Sequence, residues 1–210
     1  MQLKTTPLSN YISLVFMSIF TALAVINNQI SVFYLIYLFW FDEFLRTVSS
    51  FICYFFKRKK LKLPQAYFAA AKSKMFLLFL YVVFIFIFFG LILDWKNTNL
   101  IFINFEVLMF KNSLFNFTII TFLVREMILY FKNEFHTINK NSMLSREIII
   151  LHISIIIGMF IWGFLPKDFY ENSNSNLLSG LIVAPFLLLK LFFEILLVKS
   201  NNTNEMDSKI

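Results

Sequence analysis

Residues 75–93 read MFLLFLYVVFIFIFFGLIL, nineteen residues without a charge. The hydrocarbon core of a bilayer is about 30 Å thick, and roughly 20 apolar residues in helical conformation cross it. The stretch therefore predicts a membrane-spanning helix, and similar runs lie on either side of it. Working outward, we read a first span at Leu8–Asn27, a second at Ile30–Phe56, the third at Met75–Leu93, a fourth at Ser113–Phe131, a fifth at Glu147–Leu165 and a sixth at Leu177–Val198. The expected fold class is all-α, an integral membrane bundle of six transmembrane helices. Residues 1–198 form one domain and residues 199–210 a polar C-terminal tail.

Polar breaks separate the spans: Asn27-Asn28, Lys57–Lys74, Asp94–Asn99, Lys132–Arg146 and Pro166–Asn176. The segment Leu100–Phe110 is too short to cross. It reads as an interfacial helix on the outer side or as an extension of the fourth span. Near the N-terminus, Ala22-Leu23-Ala24 has the small-residue look of a signal-peptide cleavage site, but the apolar run continues past it, which favours a retained first helix.

Composition agrees. Of 210 residues, 59% are hydrophobic and 15% charged, with a mean hydropathy of +0.74. An average soluble domain is about half apolar and a quarter charged. A globule of this size has too much surface for its volume to hide the excess, which includes 30 Phe. The net charge of +7 does not point to nucleic acid, because the cations sit in short segments between apolar runs. There they act as orientation signals and face anionic lipid headgroups.

Counting them sets the topology. With both termini cytoplasmic, the inner side holds Lys4, seven cations in Lys57–Lys74, three in Lys132–Arg146, and Lys199 and Lys209, while the outer side holds only Lys96, Lys111 and Lys167. This bias predicts an even number of spans with both termini cytoplasmic.

Charges inside the spans carry the functional information. The second span contains Asp42, Glu43 and Arg46, the fourth Arg125 and Glu126, the fifth His152, and the sixth Lys190 and Glu194. Each ionised group at mid-membrane costs on the order of 3 kcal/mol, so these groups are expected to face the interior and pair. Either Asp42 or Glu43 can reach Arg46 on one helical face. Arg125 and Glu126 are adjacent, about 100° apart around the helix, and are expected to seek partners on other helices. All eight fall in the middle or cytoplasmic half of the spans, so one shared cluster is expected.

Its four acids outnumber the three bases Arg46, Arg125 and Lys190, which leaves one acid to be balanced by a protonated His152 or by its own protonation. A His sharing a proton with a carboxyl is the least equipment for a proton relay. Against this stands pairing that only fixes helix register, with Glu194 snorkelling to the surface.

Catalytic signatures are missing. There is no Gly-x-Ser-x-Gly elbow, phosphate-binding loop or His-Glu-x-x-His helix, and two His do not make a three-ligand zinc. Asp42-Glu43-x-x-Arg46 is one residue short of the Glu-Glu-x-x-x-Arg motif of intramembrane prenyl-protein-type proteases and lacks their further His. The single Cys53 excludes a disulfide framework. We expect no enzyme activity, no cofactor and no metal. The expected partners are the bilayer, its anionic headgroups and a small ion or solute, with no nucleic acid.

Arg146-Glu147, Leu151-His152, Gly158, and Leu187-Leu188-Leu189-Lys190 followed by Glu194, with Phe39-Trp40-Phe41-Asp42-Glu43 in the second span, resemble an uncharacterised family of bacterial polytopic membrane proteins. It is the one catalogued as domain of unknown function 6498. Where that family has a second acidic-plus-amide pair, this chain has Asp42-Glu43. The resemblance implies a membrane protein of a bacterial inner membrane, without an assigned activity. Two functions remain: a small transport-like or membrane-sensing protein built around the ion cluster, or a non-catalytic membrane scaffold whose charges only fix helix register.

Overall fold

A computed structural model describes residues 7–27, 31–61, 63–92, 98–132 and 146–164, with isolated residues 184, 185, 188, 189 and 192. The sixth span lies outside the described residues apart from those five, and the polar tail lies outside them entirely. Among the described residues the chain is all-helical, without a strand. The elements are α1 (Pro7–Ile26), α2 (Val32–Leu61), α3 (Gln65–Phe84) with a π-helical continuation (Ile85–Ile92), α4 (Thr98–Leu108), α5 (Ser113–Lys132) and α6 (Arg146–Phe164). Two helical stretches, Gln65–Ile92 and Thr98–Lys132, are long and apolar enough to cross a membrane.

α2 is the axis of the bundle. It packs against α3 and its π-helical continuation, α4, α5 and α6, while α1 lies along α5. Every residue from Ser31 to Trp40 is buried, so no face of this segment meets solvent. A helix that is apolar all round is stable only when neighbours enclose it. Aromatic rings fill the space around it: Tyr37 stacks on Trp40 at 5.7 Å and on Phe115 of α5 at 5.5 Å, and Phe44 stacks on Trp40 at 5.0 Å. The Trp40 indole N–H donates to the Leu78 carbonyl of α3 at 2.8 Å, which satisfies its polar end inside the core.

Helix ends follow from local chemistry. The Ser31 hydroxyl accepts the Tyr34 N–H at 3.0 Å and so caps the start of α2. Pro64 holds extended backbone before α3 and disfavours helix at Leu63. α2 runs to Leu61 and α3 begins at Gln65, and this corrects the polar break read at Lys57–Lys74. Its cations decorate the last turn of α2 and the first turns of α3, because nothing in Lys57–Leu61 or Gln65–Lys74 breaks a helix.

The Leu100–Phe110 segment also resolves. α4 ends where the Phe110 N–H reaches the Val107 carbonyl and the Lys111 N–H reaches the Glu106 carbonyl, a Schellman arrangement with Phe110 in the left-handed region at φ 56°. The Asn112 side chain then accepts the Phe115 N–H at 3.0 Å and starts α5. α4 is thus a separate helix turned against α2, and not a straight extension of α5.

The outer surface is apolar. α5 exposes Phe117, Ile120, Leu123, Val124, Met127 and Phe131; α3 exposes Phe76, Phe79, Leu80 and Val83; α1 exposes Ile12, Val15, Phe16 and Ile19. Asp42, Glu43, Arg46, Arg125 and Glu126 are buried in the interior.

Candidate functional site

The interior charges sit where α1, α2, α3 and α5 meet. On α2, Asp42 and Arg46 lie one turn apart, so the guanidinium reaches back along the helix. Its Nε donates to Oδ1 at 3.2 Å and its Nη2 to Oδ2 at 3.3 Å. From α5, Arg125 Nη2 donates to the same Asp42 Oδ1 at 2.6 Å. Asp42 is therefore the hub between two guanidinium groups, and it is 1% exposed.

Arg125 is 3% exposed and reaches three helices. Its Nε and Nη2 donate to Glu126 Oε1 at 3.0 and 2.8 Å, and its Nη1 donates to Ser13 Oγ of α1 at 3.1 Å. Adjacent residues were expected to point too far apart to pair. The long guanidinium folds across the helix and overrides that expectation, since Glu126 would otherwise lie buried with less of its charge offset.

Glu43 takes a different partner from the one its spacing offered. Its carboxylate forms an ion pair with the Lys74 ammonium of α3, and its Oε2 has no hydrogen-bond partner among the described residues. The polar break read at Lys57–Lys74 leaves Lys74 outside the spans. Lys74 stands nine residues into α3, about 13 Å from the start of that helix. Pro64 signals the turn that folds α3 back on α2, but equal travel along the two helices would set residue 83 opposite residue 43, so the register that brings Lys74 to Glu43 is a tertiary feature.

Electrostatic balance follows. Among the described residues Asp42, Glu43 and Glu126 face Arg46, Arg125 and Lys74, three acids and three bases. The expected surplus acid rests on leaving out Lys74; Lys190 and Glu194, which offset each other in that count, lie outside the described residues. His152 does not join the cluster. It is exposed on α6, where Nδ1 lies 3.0 Å from the Tyr81 hydroxyl of α3. The His–carboxyl pair expected for a proton relay is thus replaced by a His–Tyr pair. Of the eight expected residues, Asp42, Arg46, Arg125 and Glu126 meet, and Glu43 pairs separately with Lys74.

A second polar node ties the other end of α2. Ser31 Oγ donates to Asn104 Oδ1 of α4 at 2.6 Å, and the Asn104 amide faces the Phe89 and Gly90 carbonyls of the π-helical segment at 3.5 Å. The wider π turn offers those carbonyls sideways. At the basic end of α2, the Lys57 ammonium donates to the Tyr130 carbonyl and lies 3.7 Å from the centre of the Tyr130 ring. Desolvation there lowers the pKa of Lys57 from the usual lysine value, opposed by Cys53 and aided by the Lys60 charge. Among the described residues no group of His, Cys, Asp and Glu is arranged to hold a metal ion.

No family model, no curated protein and no solved structure matches the chain.

Proposed function

We propose that this chain is a multi-pass protein of a bacterial inner membrane, with six spans and cytoplasmic termini, and that it is a non-catalytic scaffold whose ion layer fixes helix register. The observation that carries the reading is the pairing of three interior cations across neighbouring helices: Arg125 ties α5 to α1 and α2, and Lys74 ties α3 to α2. Buried ion pairs serve this purpose best where a polar partner is available in only one register. The membrane part rests on the apolar exterior, the two helical stretches of spanning length and the distribution of cations. Likeness to the uncharacterised polytopic family belongs to the same proposal and rests on the quoted motifs alone.

One observation favours the transport-like alternative. Glu43 is 2% exposed, and one of its carboxylate oxygens lacks a hydrogen-bond partner among the described residues. Such a group is where a proton or small cation would dwell during passage. Glu43→Gln separates the two. On the scaffold reading the variant loses stability in detergent and, once reconstituted in vesicles, shows the same ion permeability as the parent. A variant as stable as the parent with altered proton or cation flux refutes the scaffold reading and establishes the other.

A further inference from the structure

We infer that the cationic end of the α2–α3 hairpin, together with the end of α5, is a binding surface for anionic phospholipid headgroups. The inference rests on the spanning reading above and places the expected anionic-headgroup partner on named residues.

Arg58, Lys59 and Lys60 are exposed in the last turn of α2, and Lys132 is exposed at the end of α5. No Asp or Glu occurs from residue 47 to residue 74 or from residue 127 to residue 132, so nothing on these segments offsets their charge. The surface is built, not frayed. Lys57 bonds the Tyr130 carbonyl and covers its ring, which pins the end of α2 to the end of α5. The Arg58 guanidinium lies 5.1 Å from the centre of the Tyr54 ring, and Tyr54 in turn stacks on Phe68 of α3 at 5.0 Å.

Beside these cations stand three bare phenyl rings: Phe55 is 68% exposed, Phe56 77% and Phe131 72%. A nucleic acid or a soluble anion would satisfy the cations and leave the rings in water. Hydrocarbon would satisfy the rings and strand the cations. The boundary between phosphate and acyl chain satisfies both, since ammonium and guanidinium groups bind the phosphate while the phenyls lie against the chains.

The test uses the full-length protein placed in bilayer discs of phosphatidylcholine, with and without phosphatidylglycerol. Lipid retained through delipidation is read by native mass spectrometry. We expect phosphatidylglycerol to be retained over phosphatidylcholine, with the preference falling roughly fivefold per cation removed in Lys59→Gln and in the triple Arg58→Gln/Lys59→Gln/Lys60→Gln variant. Lys111→Gln, an exposed cation preceding the opposite end of α5, leaves the preference unchanged. Phe55→Ser/Phe56→Ser lowers retention of both lipids. Lys59 alone, exposed at a helix end, keeps the test open if the triple variant does not fold. Insertion without headgroup preference, an equal loss in Lys111→Gln, or displacement of the lipid by an oligonucleotide overturns this inference alone. A parent chain that stays monomeric in water without lipid overturns the spanning reading, and this inference with it.

Discussion

Replacing Asp42 by Asn tests the ion layer most directly. The two side chains have nearly the same shape, so packing at this 1% exposed position is preserved and the charge alone is lost. Arg46, at 3.2 and 3.3 Å, and Arg125, at 2.6 Å, then share no carboxylate between them. Arg125 keeps Glu126, but the network changes from neutral to one positive charge in excess. Removing one partner of a buried pair costs about 3–5 kcal/mol, because the remaining charge is left uncompensated. For a chain of this size that corresponds to a fall in melting temperature of roughly 6–20 °C.

The assay is the fraction of monodisperse protein that survives a series of heating steps in detergent. Adding Arg46→Gln to Asp42→Asn restores neutrality, with Glu43 and Glu126 facing Arg125 and Lys74, and should recover most of the loss. A single variant within about 1 kcal/mol of the parent, or a double variant no more stable than the single one, would refute the argument from charge balance.

Three smaller perturbations probe the elements that hold the site in place. Phe110 carries positive φ, so Phe110→Gly should exceed Phe110→Ala in stability by roughly 1–2 kcal/mol: both lose the ring, but only glycine releases the backbone. Comparing the two melting temperatures decides it. Asn112→Ala removes the cap of α5 and should cost about 1 kcal/mol in the same measurement, with Asn112→Ser recovering much of it. A Cβ at Gly90 would meet the Phe33 ring at 3.3 Å, and Phe33 is 1% exposed and stacked on Tyr37 at 5.2 Å, so it has little room to yield. Gly90→Ala should therefore lower stability by about 1 kcal/mol despite the better helix former, and Phe33→Leu should relieve it.

The helices were largely legible, because a run such as Ile30–Phe56 or Ser113–Phe131 has a composition that permits one conformation in an apolar setting, and Asp42, Arg46 and Arg125 stood out as charges that had to pair. Connections were less legible. The cations from Lys57 to Lys74 looked like a loop because charge was taken to end a helix, whereas a helix ends only where Pro64 and its neighbours deny the backbone its hydrogen bonds. That one misplacement concealed Lys74, and with Lys74 hidden the acids appeared to need His152.

Among the described residues, composition and spacing determined that the chain is helical, where five of the six expected helices lie, and which side chains are too costly to leave unpaired, because each of these is a property of a residue and its near neighbours. Which partner each charge takes was decided by tertiary structure alone. Glu43 meets Lys74 across a hairpin, Asp42 meets Arg125 across two helices, and His152 is carried away to Tyr81. Helix register and crossing angle set those distances. They are fixed by how aromatic rings such as Trp40, Tyr37 and Phe115 fill the space between helices, and that is a property of the whole assembly, not of any stretch of chain.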